Sequence, residues 1–215
     1  MKKINKSIEP VALTHWKRNN PGRHYDSLGH PERDAIRRSC VAEQFYLCAY
    51  CCQFVSGESP DTMNEHILPR SSHPHLSVAY DNIVASCTSR GQCDDAHGHQ
   101  LMGLTPLMDE CEGELKFRIS GRVEGLTERA QETIRILNLG DHERNNRSLV
   151  EKRKTLSHAL MVIHGIDPTS PLEEDDLLHA LLEDLSTPVE GRLPPFAPVV
   201  ANILRGWLCG WSKQS

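Results

Sequence analysis

Residues 64–71, "NEHILPRS", set an acid beside an imidazole, Glu65 and His66, ahead of an Ile-Leu-Pro turn and then Arg70 and Ser71. Imidazole titrates near neutrality, so His66 can take a proton from water. Neighbouring side chains of a strand leave on opposite faces, which places Glu65 to bind an ion on the far side. The bland alternative is a solvated strand end. Two cysteine pairs bracket the stretch: Cys48 and Cys51 in "CAYC", Cys87 and Cys93 in "CTSRGQC". Four thiolates suit tetrahedral Zn²⁺, with Zn–S bonds of roughly 2.3 Å. A lone CxxC would fit a redox dithiol or a plain turn equally well; two pairs around a broken segment say more. Cys52 either replaces Cys51 or is a bystander, and Cys40, Cys111 and Cys209 read as ordinary buried thiols. Inside the bracket lies Asn82, able to hold the imidazole or to hold the loop; after Cys93 come Asp94, Asp95, His97 and His99. A hard cation such as Mg²⁺ takes carboxylates and waters and steadies the charge that develops on a phosphate. His73 and His75 read as loop residues, with His75 the one that could reach a phosphate. Each residue alone has a dull explanation. The joint pattern of CxxC, Glu-His-Ile-x-Pro, Asn-Ile-x-x-x-Cys and Cys-Asp-Asp points to a metal-assisted hydrolase.

The elements that must position these residues can be read in outline. Residues 1–30 look irregular, with "NNPGRHYDSLGHP" as a turn-rich connector. Residues 32–47 read as a helix with a narrow apolar face of Ile36, Cys40 and Leu47. Residues 48–105 are broken by Gly, Pro and Ser and are expected to lack a conventional core, so that metal staples them. Residues 114–123 alternate as a hairpin turning at Ser120-Gly121. A helix over 126–139 puts Leu126, Ala130, Ile134 and Leu137 on one face, with Gly140 as its cap. A second, over 142–164, puts Leu149, Leu156, Leu160 and Ile163 in step. "SPLEEDDLLHALLEDL" opens with a capping box of Ser170, Pro171 and Glu173. In "FAPVVANILRGWLCGW", Val199, Val200, Ile203, Leu204, Trp207, Leu208 and Trp211 form a broad apolar stripe. Such a stripe usually packs on the protein's own body; a docking surface is the lesser alternative.

The totals narrow the class. The chain has 215 residues and a net charge of −5, which argues against a free-standing, strongly basic nucleic-acid binder. Residues 1–40 carry nine Lys/Arg against four Asp/Glu, and residues 166–215 three against eight. A basic front and an acidic tail suit a protein that meets nucleic acid at one end, or are simply two solvated faces. No secretory signal or membrane-spanning run is evident, so the expected location is cytoplasmic, where clustered cysteines point to metal before disulfide.

"CAYC … NEHILPRS … YDNIVASC … CDDAHG" resembles the HNH endonucleases of ββα-metal type. The segments "TPLMDECEGELKFRISGRVEGL" and "AQETIRILNLGDHERNNRSLVEKR" resemble the helical extension of one subgroup. That subgroup is the HNH component of Septu-type and retron-associated antiphage systems (PtuB-like). The resemblance spans about residues 32–158. It implies an α+β protein, a zinc-stapled ββα-metal core within a mainly helical chain. It makes His66 the general base, Glu65 the metal-binding residue before it and Asn82 the central Asn, with Cys48, Cys51, Cys87 and Cys93 on a structural Zn²⁺. The third motif position falls on Asp94, where the classical motif has His; His97 is the alternative third ligand of a catalytic Mg²⁺ or Mn²⁺.

The organisation that follows is a basic segment and helix over 1–47, the nuclease core over 48–105, a hairpin and helical extension over 106–165, and an acidic helical region over 166–215. The implied substrate is nucleic acid, DNA before RNA or tRNA. The implied partner is an ABC/SMC-type ATPase that meets the carboxy-terminal half and supplies part of the grip on DNA. Two rivals stand beside this: a zinc-stapled adapter with a decayed site, favoured by Asp94 and the negative charge, and a redox or zinc-sensing protein using the CAYCC thiols.

Overall fold

The computed structural model describes residues 1–141, 146–169 and 175–208. Among them are seven α-helices and two small antiparallel sheets, an α+β arrangement. β1 (Thr62–His66) pairs antiparallel with β2 (Ile83–Cys87), Glu65 opposite Val84 and His66 opposite Ile83. A single helical turn, α3 (Asp94–His97), follows the second cysteine pair. Two helices precede this unit, α1 (Val11–Asn19) and α2 (His30–Glu43). β3 (Leu115–Phe117) and β4 (Val123–Gly125) form the expected hairpin, and four helices follow: α4 (Glu128–Ile136), α5 (Arg147–Ile163), α6 (Asp175–Ser186) and α7 (Ala197–Leu208).

α2 packs across both strands of the first sheet and stops earlier than residue 47. The reason lies in Gln44. Its side chain donates to the carbonyls of Ala85 and Leu47 (both 2.8 Å) and accepts the Ala85 N–H (2.7 Å), acting as an extra rung on β2. Phe45 and Tyr46 then turn through left-handed backbone, at φ 55° and 63°, into the first knuckle. α1 corrects the expectation of an irregular start: it buries only Leu13, too narrow an apolar signal to stand out.

The expectation that 48–105 lacks a core is also corrected. Tyr50, Val55, Ile83, Val84 and Ala85 are fully buried, in one cluster with Leu13, Ile36, Leu137 and Phe196. The segment is core-poor alone and well buried against the rest of the chain.

In the extension, Thr127 caps α4, accepting the Ala130 N–H. α4 ends at Ile136, and Asn138 and Gly140, both at positive φ, turn the chain away. Residues 142–145, where the next helix was expected to start, lie outside the described residues; Asn146 caps α5 through Leu149. Leu149 and Leu160 are buried as expected, but Leu156 and Ile163 are exposed, at 40% and 77%. The buried stripe is rotated onto Val150, Arg153, Ser157 and Met161.

α7 packs on α6, α5 and β3. Val199, Val200, Ile203 and Leu204 are buried, and Trp207 and Leu208 half-buried against the same core. Asn202 completes the junction: it accepts the Phe117 N–H (2.9 Å) and donates to the Leu115 carbonyl (2.8 Å). The described part of the stripe therefore packs on the protein's own body, the first of the two readings the sequence allowed. The capping box at Ser170, Pro171 and Glu173 lies outside the described residues, as do Cys209 and Trp211. No helix among the described residues is long and apolar enough to cross a membrane.

Candidate active site

β1 and β2 position both halves of the site. β2 delivers Cys87, and the Cys48–Gln53 turn delivers Cys48 and Cys51, closed by the Cys48 N–H on the Gln53 carbonyl (2.8 Å). The Cys93 N–H bonds the Leu137 carbonyl at 2.9 Å, so α4 fixes the last cysteine. The Sγ atoms of Cys48, Cys51, Cys87 and Cys93 all lie within 4.8 Å of one another, a group able to hold a metal ion. A tetrahedral zinc site needs sulfurs roughly 3.8 Å apart; Cys51 and Cys87 stand at 4.0 Å. Hydrogen bonding with the other three sulfurs holds Cys87 far below the usual thiol range. Cys52 is outside this group, its backbone spent on Cys48 and Phe196. Cys40 and Cys111 are buried and free, as expected.

Glu65, Asp94 and His97 meet beside this knuckle. His97 Nδ1 lies 2.5 Å from Glu65 Oε1, and the Tyr50 hydroxyl donates to the same oxygen at 3.2 Å. Burial pushes the Glu65 carboxyl up, but hydrogen bonds from His97, Asp94 and Tyr50 win and hold it below its ordinary value. Asp94 goes the other way. Burial, then the hydrogen bond and charge of Glu65, push it up to about 8. Two carboxyls sharing a half-dry site are unfavourable unless a proton or a cation joins them. His97 Nε2 is buried without a hydrogen-bond partner. Among the described residues only the four cysteines stand close enough together to hold an ion as they are; His97 meets Glu65 through Nδ1.

His66 points elsewhere. Its Nε2 lies 2.8 Å from the Ser77 carbonyl, and its ring meets the Tyr25 ring edge-on at 4.7 Å. A carbonyl only accepts, so Nε2 carries the proton and Nδ1 keeps its lone pair. Burial lowers the His66 pKa, the Ser77 bond raises it and Arg70 lowers it again; the result is below the ordinary value. The imidazole is held neutral with one basic nitrogen.

Asn82 does not touch His66. Its Oδ1 accepts the Leu68 N–H (2.8 Å) and its Nδ2 donates to the Leu68 carbonyl (3.0 Å). Of the two roles the sequence allowed, the geometry gives the loop. These bonds pin the chain just after His66.

Glu65, His66 and Asp94 all line one cleft of about 660 Å³. Its lining also carries Arg33 and Arg37 from α2 and Arg70 after β1; Arg37 is paired with Asp34 and Arg70 with Asp26, and Arg33 donates to the Asp26 carbonyl. Arg33 and Arg70 stack over the Tyr25 ring at 5.1 and 5.2 Å. His73 and His75 sit on the turn at Pro74–Leu76 and are absent from the cleft lining.

Sequence reasoning did not single out Ser77, Tyr25 or Tyr50. Ser77 acts through its carbonyl, which no side-chain motif marks. Tyr25 arrives from a distant turn. Tyr50, inside "CAYC", was open to notice.

No family model matches the chain. Part of it is similar to a candidate HNH endonuclease of retron Ec83 from Escherichia coli, 31% identical over 98 residues. The aligned part is 40% of this chain and 37% of that relative, so the chain spans little more than a third of the relative's length.

Proposed function

We propose that the protein is a metal-dependent HNH endonuclease that hydrolyses phosphodiester bonds, with DNA the favoured substrate. The observation that carries this reading is His66, held through Nε2 by the Ser77 carbonyl, on the same cleft as the Glu65–Asp94 carboxylates; that bond leaves Nδ1 to take a proton. The partial similarity to the retron protein supports it. His66 takes the proton of a water that attacks phosphorus, and Ser77 and Tyr25 keep the imidazole from turning away. Glu65 and Asp94 would hold Mg²⁺ or Mn²⁺, with His97 a further ligand. When bound, that ion supplies positive charge to the phosphoryl oxygens and the leaving 3′ oxygen. Arg33 and Arg70 orient the anionic backbone. Zn²⁺ on Cys48, Cys51, Cys87 and Cys93 is structural.

The resemblance of the extension to PtuB-like proteins favours an antiphage effector that works with an ABC/SMC-type ATPase. With α7 closed on the core, the outward face of the carboxy-terminal half is the acidic side of α6, where Asp175, Asp176, Glu183 and Asp184 are exposed. Co-purification with such an ATPase supports the partnership; a chain that ignores it removes this part of the reading.

The adapter reading keeps one observation in its favour, Asp94 at the classical His position. The redox reading loses ground: reactive cysteines are partly exposed, whereas all four knuckle thiols and Cys52 are buried. Supercoiled plasmid and total tRNA, each incubated with Mg²⁺, Mn²⁺ or EDTA, separate the cases. Metal-dependent cutting names the substrate class. Zinc-loaded protein that cuts neither, with or without the ATPase, returns the weight to the adapter.

A further inference from the structure

Helix α5 sends two polar side chains toward the cysteine cluster, Asn146 at its cap and Arg153 two turns on. Asn146 Nδ2 donates to Gln92 Oε1 (2.9 Å) and to the Asn138 carbonyl (2.8 Å). Held in this way, Gln92 Nε2 lies 3.6 Å from the sulfur of Cys87, 3.9 Å from that of Cys51 and 4.0 Å from that of Cys93.

Arg153 is fully buried, its side chain at 0% exposure. It donates to the carbonyls of Gly121 (2.7 Å) and Leu139 (3.0 Å) and lies over the Phe117 ring. Its Nε has no partner, and among the described residues no carboxylate pairs with it. The titratable groups close enough to act on its charge are thiols, those of Cys51, Cys52 and Cys93. The backbone it grips is the backbone that grips the cluster, since Leu139 lies two residues past Leu137, the acceptor of the Cys93 N–H. A buried guanidinium without a counter-charge costs several kcal/mol. Four thiolates around a divalent ion make a dianion, which supplies that counter-charge.

We infer that Arg153 is the counter-cation of the four-thiolate metal centre and, with the Gln92–Asn146 pair, forms an outer shell that ties α5 to it. The inference rests on metal binding by the four cysteines and not on nuclease activity, so a protein that cuts nothing leaves it standing.

The test is zinc retention by the full chain against a chromophoric chelator, in wild type, Arg153→Met and Arg153→Lys. Arg153→Met should lose zinc about tenfold more readily, the order by which outer-shell partners alter metal affinity. Arg153→Lys, which keeps the charge, should recover most of the loss. Thermal melts of zinc-loaded and EDTA-stripped protein give a second readout that packing alone would not produce. Arg153→Met should lower the Tm of the loaded form by clearly more than that of the stripped form, since both lose the bonds to Gly121 and Leu139 and only the loaded form loses its counter-cation. Unchanged zinc retention in Arg153→Met, or equal loss of Tm in both forms, overturns the inference. Should Arg153→Met fail to fold even with zinc, Arg153→Lys must restore folding and zinc together; its failure would assign Arg153 to packing and overturn the inference as well.

Discussion

His66 serves as a base only when neutral, and its surroundings lower its pKa, burial first. Activity should therefore be complete at and above neutral pH and fall as pH drops through a midpoint below the 6.5 of an ordinary imidazole. kcat/KM against pH at saturating metal checks this; a midpoint above that value contradicts it. Asp94 yields a second expectation. Its carboxyl is held up to about 8 without metal, so it is largely protonated at neutral pH. Binding of Mn²⁺ should then release a proton, a release that fades as pH rises past that value. Calorimetry in buffers of different ionisation enthalpy reads it directly. The residue types of this site were legible because an acid, an imidazole and cysteine pairs at fixed spacing have few other joint uses. What held them was not legible. The Ser77 carbonyl leaves no mark in a sequence, and the choice between leaning on His66 and leaning on Leu68 was open to Asn82 until the loop closed around it.

Asn82 shows how an element inherits its geometry from one side chain. Asn82→Ala removes the partners of the half-buried Leu68 N–H and carbonyl, at a cost of about 1 kcal/mol. Urea unfolding should show a lower midpoint with an unchanged slope. At the second hairpin, Gly121 sits at φ 84°, and a Cβ there would stand 2.2 Å from the Val150 carbonyl oxygen of α5. Gly121→Ala should cost at least ~1–3 kcal/mol through backbone strain, with the clash added. A melt like that of wild type would contradict the close crossing of hairpin and α5. The hairpin and α7 were legible from period; α4 was legible in part, since Leu126 lies before it and is exposed, and Leu137 rather than Gly140 closes it. α1 was hidden because one buried leucine makes no stripe, and the end of α2 because Gln44 leaves the helix to bond Ala85. The face of α5 was misjudged because a charged residue, Arg153, occupies its centre; hydrophobic periodicity counts such a residue as outward.

Over the whole molecule, one buried cluster draws on every part of the chain, from Met1 and Leu13 to Phe196 and Leu204. The cysteine cluster lies within it, so metal removal should destabilise the entire chain and not a detachable finger. EDTA treatment is expected to lower a single cooperative melting transition; a stripped protein with an unchanged Tm would deny the centre a structural role. The central claim is that His66 does chemistry on this scaffold and is not merely part of it. The most direct measurement compares wild type with His66→Ala for cleavage of supercoiled plasmid in Mg²⁺ or Mn²⁺, with zinc content and melting temperature recorded on the same samples. The account predicts matched zinc, near-matched stability and a loss of cutting on the order of 10²–10⁴-fold, the range for a general base. Cutting by His66→Ala at the wild-type rate would contradict it.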